Sequence, residues 1–122
     1  MSTDAPLHDC RKAYADTLVE IARADERLVV VANDSIGSSN LGGFREELPA
    51  RLVSVGIAEQ NQVGVAAGME NDEKIPVASC AGSFLSARAT EQITFRRSRR
   101  RGGAAAGRYL ARAACSRTVA RT

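Results

Sequence analysis

Apolar residues recur along this chain with two patterns, and together they predict alternating helices and buried strands. Asp9 can cap a helix, and Tyr14, Leu18, Ile21 and Ala22 follow at i, i+4, i+7 and i+8. That spacing predicts an amphipathic helix from about Cys10 to Ala24. Leu28 to Ala32 is a continuous, β-branched apolar run, as expected of a strand covered on both faces. Asn33 to Gly43 has the composition of a loop, and Phe44 to Leu48 predicts a short helix stopped by Pro49. Leu52 to Val55 is a second strand, Ala58 to Met69 a helix, and Ile75 to Ser79 a third strand. Ser83 then caps a helix carrying Phe84, Arg88 and Glu91. Helix and strand in alternation predict an α/β fold: a parallel sheet with flanking helices and right-handed crossovers.

Composition adds a boundary. The 122 residues suffice for one small domain with a modest core. The formal charge of +3 hides two unlike parts. Residues 1–93 hold all 14 acids and 8 basic residues, a net of −6; residues 94–122 hold 9 arginines and no acid. The chain therefore divides into an N-terminal arm (1–8) expected to be flexible, a domain (9–93), and an Arg/Ala/Gly-rich tail (94–122) without apolar periodicity. The tail is expected to be disordered or out of frame, since a GC-rich gene read in a shifted frame yields this composition. Its alternative is a basic arm that binds RNA, DNA or anionic lipid. The acidic body carries no nucleic-acid footprint. No apolar run approaches the roughly 20 residues of a membrane span, and Met1 to His8 does not read as a signal peptide, so the cytosol is the expected location. Cys10, Cys80 and Cys115 match no metal-ligand spacing, and Cys80 reads as a small core residue. With His8 as the single histidine, a Ser-His-Asp or Cys-His site within this chain is not expected.

The chemistry concentrates in Val55 to Met69, where Glu59 stands among glycine, alanine and aliphatic residues. Buried there, its carboxyl would have a raised pKa and could share a proton with a ligand. Alternatively, Glu59 caps the first helical turn and points to water. Gly64 and Gly68, four apart on the same helix, cost helix propensity, which close approach of another backbone would justify.

The run Val55-Gly56-Ile57-Ala58-Glu59-Gln60-Asn61-Gln62-Val63-Gly64 resembles the segment that carries the catalytic glutamate in the transketolase family of thiamine diphosphate enzymes. Lys74 to Ser79, Ser83-Phe84-Leu85 and Arg88 to Ile93 follow in the expected order. The resemblance covers Asp9 to Ile93 and is to the pyrimidine-binding domain, as in the C-terminal subunit of split transketolases. It implies an incomplete thiamine diphosphate-binding fold and transfer of a two-carbon ketol unit between sugar phosphates. Glu59 would be the acid beside N1′ of the aminopyrimidine, kept protonated by low polarity. Phe84 would pack on the pyrimidine ring, with Asp34 and Gln60 near the cofactor and Ser38 and Ser39 near the sugar phosphate. Ser79 would be a supporting group, and Arg88 would serve its helix or a subunit contact. The diphosphate and Mg2+ would be held by an N-terminal partner subunit in an oligomer, and this chain alone would be inactive. Deoxyxylulose phosphate synthase, the β-subunit of 2-oxoacid dehydrogenases and a non-catalytic α/β module with a polyanion-binding tail are the alternatives.

Overall fold

The computed structural model describes residues 9–99. Its element order is α1 (Cys10–Ala24), β1 (Leu28–Ala32), α2 (Gly42–Glu47), a 3-10 turn (Pro49–Arg51), β2 (Leu52–Ser54), α3 (Glu59–Asn71), β3 (Ile75–Ser79), α4 (Gly82–Arg88) and α5 (Thr90–Arg99). The three strands form one parallel sheet in the order β2-β1-β3. The α/β fold with a parallel sheet is as the periodicity predicts. The N-terminal arm and most of the Arg-rich tail lie outside the described residues.

Every residue of β1 is buried, because the strand is paired on both edges and covered on both faces. Leu28, Val30 and Ala32 face a core built with α1 and α2, in which Leu18, Ala22, Leu41 and Phe44 are enclosed. Val31 points the other way, onto Ala66 of α3 and Ala78 of β3. The alternation follows from the strand's two-residue repeat.

Local chemistry sets the helix ends. The Asp9 side chain accepts a hydrogen bond from the Arg11 N–H at 2.9 Å and caps α1. The buried stripe of α1 is Ala15, Leu18, Val19 and Ala22, so the helix is rolled from the expected face. Tyr14 is partly buried and Ile21 is 47% exposed. Both border an apolar groove of about 430 Å³ along β3, with Leu28, Ile75 and Pro76. Helix α2 begins two residues before the sequence reading, because Leu41 is already anchored in the core. Ser83 caps nothing: α4 starts from Ala81 without a side-chain cap. The single expected helix breaks at Ala89, which is fully buried against Leu85, Val63 and Cys80. Beyond the break, α5 runs past Ile93 to Arg99. Gly64 and Gly68 have open space where a Cβ would be, so no neighbouring backbone among the described residues explains them.

Phe44 is the largest fully buried side chain among the described residues and joins α2 to α1 and β1. Phe44→Ala is expected to destabilise the domain by about 3–5 kcal/mol. A drop in the urea midpoint with an unchanged slope checks it.

Candidate active site

Strand ends build this site. In a parallel sheet, the loops at the C-terminal ends of strands form the crevice where ligands bind. Asn33 follows β1, Cys80 follows β3, and Glu59 opens α3 after the turn that leaves β2. That turn needs Gly56, whose φ of +69° lies in the left-handed region. All three side chains are buried and meet. The Asn33 amide nitrogen donates to Glu59 Oε1 at 3.3 Å and contacts Cys80 Sγ at 3.1 Å. Its amide oxygen accepts from the Ser35 N–H at 3.0 Å and from the Ser35 hydroxyl.

Glu59 is 4% exposed and sits in the first turn of α3, whose Ala58 cap offers no side-chain bond. In the chain by itself, the direction of the Glu59 shift is opposite to the raised pKa expected of a carboxyl among apolar residues. Its pKa is lowered, first by a hydrogen bond from its own backbone N–H and then, against the cost of burial, by Arg88 and Asn33. Asn33 and Arg88 are its side-chain partners among the described residues. Arg88 Nη1 donates to Glu59 Oε1 at 3.1 Å from a side chain that is 52% exposed. The Arg88 guanidinium also lies over the Phe84 ring, 4.8 Å from its centroid. Phe84 is 44% exposed, which leaves part of its surface open to a ligand. Burial pushes the Cys80 thiol up, the Glu59 charge adds to the shift, and the side chain packs in the core beside Val63, Leu85 and Ala89.

Gln62, one turn after Glu59, is fully buried. Its amide nitrogen donates to the Val31 carbonyl at 2.7 Å and to the Ser79 carbonyl at 2.9 Å, clipping α3 to the ends of β1 and β3. Gln60 is exposed. In the loop after β1, Asp34 and Ser38 are exposed and Ser39 is buried. The Ser38 hydroxyl donates to the Ser35 carbonyl at 3.1 Å, and the Ser39 N–H bonds the same carbonyl at 2.9 Å. Glu59 and Phe84 therefore share one cluster through Arg88, whereas the Ser38 hydroxyl and the Ser39 N–H bond within their own loop and the Ser38 carbonyl accepts from Arg11 of α1 at 3.4 Å. Among the described residues no three His, Cys, Asp or Glu side chains gather into a metal-binding group. No described helix is long and apolar enough to cross a membrane.

A family model described as the transketolase pyrimidine-binding domain matches residues 8–109. The chain belongs to this family. A subunit of apulose-4-phosphate transketolase from Phocaeicola vulgatus is 45% identical over 84 residues, 69% of this chain and 27% of that protein. The 1-deoxy-D-xylulose-5-phosphate synthase of Syntrophus aciditrophicus is 39% identical over 82 residues, 67% of this chain and 12% of that protein. Among solved structures, a split-gene transketolase described as an inactive β4 tetramer matches with a TM-score of 0.61 and 41% identity. That match covers 68% of this chain and 28% of the solved one. The chain thus spans about a quarter of the split-transketolase relatives.

Sequence reasoning missed three residues of this transketolase-family site. Gln62 lies on the stripe 59, 62, 63, 66, 67 that α3 buries, so its period points inward. Asn33 looks like any loop asparagine. Arg88, expected to serve its own helix or a subunit contact, lies over Phe84 of its helix and also pairs with Glu59.

Two outcomes test this geometry. Gln62→Ala strands two strand-end carbonyls and is expected to cost about 2–4 kcal/mol in chemical denaturation. The lowered Glu59 pKa means that its donors, the backbone N–H first and Arg88 after it, stabilise the fold above the ordinary glutamate value of 4.5 and cease to as pH falls through the lowered one. Arg88→Gln should therefore flatten the loss of stability on acidification, measured by urea titration across that range.

Proposed function

We propose that this chain supplies the pyrimidine side of a thiamine diphosphate site in a split transketolase, with Glu59 as the residue that meets the aminopyrimidine. The observation that carries this reading is a buried carboxylate at the C-terminal end of a parallel sheet, next to a half-open aromatic ring. A flat heterocycle with a protonatable ring nitrogen fits that pair: its edge bonds the carboxylate and its face covers the phenyl ring. When bound, thiamine diphosphate supplies the nucleophilic carbon that carries a two-carbon ketol unit between sugar phosphates.

Glu59 holds a proton or hydrogen bond at N1′, and Asn33 keeps its carboxylate aimed through Oε1. Phe84 packs on the ring. Asp34 and Gln60 border the cofactor, and Ser38 and Ser39 face the sugar phosphate. The N-terminal partner subunit holds the diphosphate and Mg2+, so the site is completed between subunits of an oligomer, and the chain alone is inactive. The pairing with a separate subunit is supported by the apulose-4-phosphate relative, which is itself one subunit of its enzyme.

Deoxyxylulose phosphate synthase is the second reading, favoured by the identity with that enzyme across the same segment. Offering a sugar-phosphate ketol donor against a 2-oxoacid donor separates the two. In the assembled enzyme, Glu59→Gln is expected to lower ketol transfer by at least about 100-fold, the usual weight of a proton-transferring group. An unchanged steady-state rate in that variant would sink the reading.

A further inference from the structure

The role of Arg88 goes beyond holding its helix. Its guanidinium makes two contacts at once: a hydrogen bond to Glu59 at 3.1 Å and a stacked contact with Phe84 at 4.8 Å. These are the two groups assigned to the aminopyrimidine. We propose that Arg88 is a placeholder for the ligand: in the free domain it occupies the donor position on Glu59 and the face of Phe84, and it withdraws to solvent when a flat, protonatable heterocycle binds. The inference rests on the reading of Glu59 and Phe84 given above.

The chemistry of the two occupants matches. A guanidinium is planar and delocalised, presents N–H donors at its edge and stacks on aromatic faces. A protonated aminopyrimidine has the same attributes. The burials are unequal in the way an exchangeable partner requires. Glu59 is almost completely buried, and an ionised carboxylate left there without a cation is costly. Arg88 is half exposed, so its return to water is cheap. Arg88 and Phe84 stand four apart on α4, on neighbouring positions of one face. Arg88 is the last residue of that helix, just before the buried Ala89, so its stem has solvent to swing into while the backbone stays fixed. When it leaves, Asn33 still donates to Oε1, and the carboxylate keeps its direction. The ligand's apparent affinity is then reduced by the fraction of molecules in which Arg88 is docked.

The test is a titration of the full 122-residue chain, mixed with the diphosphate-binding subunit, with thiamine diphosphate and Mg2+, followed by NMR with labelled arginine and phenylalanine side chains of this chain. In the wild-type chain, saturation should move the Arg88 guanidinium signal to that of a solvated arginine while the Phe84 ring signals shift. Arg88→Met, which keeps the packing of the stem and removes the donors, should bind about fivefold more tightly by removing the competitor. Arg88→Gln serves as a second variant that retains a polar end, and it should bind more tightly than wild type by a smaller factor. An Arg88 signal that stays put in the saturated chain, or binding by both variants that is no tighter than wild type, overturns the placeholder role and leaves the cofactor reading standing. Binding by none of the three chains in the presence of the diphosphate-binding subunit, each chain folded by its amide spectrum, removes the cofactor reading and the placeholder with it.

Discussion

A carboxylate taken out of water must be met by donors, and the order of this domain follows from meeting that need at Glu59. Its own backbone N–H, Asn33 and Arg88 come from α3, from the end of β1 and from α4. Each donor is delivered by a different element, so the elements must dock correctly for the charge to be tolerated. The cost of error is high, because an unpaired buried charge destabilises far more than a surface pair stabilises.

Beneath this pair lies an uncharged clip. Gln62 takes carbonyls from β1 and β3 in one amide group, joining the first turn of α3 to two strand ends. The sheet it joins is small. Among the described residues β1 alone has neighbours on both edges, and β3 runs beside an apolar groove bounded by Tyr14, Ile21 and Pro76. Parallel sheets are ordinarily covered on both faces. Among the described residues, the site-bearing strand ends stay together beside this groove.

The architecture was legible because it depends on local signals. The unbroken apolar run 28–32 marked a doubly covered strand, and Asp9 marked a helix start. The errors came where tertiary contacts overrule local preference. Helix α1 is rolled toward Phe44, Leu41 draws α2 forward, and the burial of Ala89 breaks an otherwise continuous helix.

Sequence alone determined the alternation of helix and strand, the family and the singular position of Glu59, since each is written in the order and type of neighbouring residues. Only the tertiary structure decided the state of that carboxyl. Residues 33, 59 and 88 are far apart along the chain, and their distances in space set which donors reach Oε1. A pKa depends on those distances and on burial, neither of which a linear pattern contains. Glu59 is therefore held below its ordinary pKa first by its own backbone N–H and then by Arg88 and Asn33, brought from other elements, where the apolar run around it suggested the opposite.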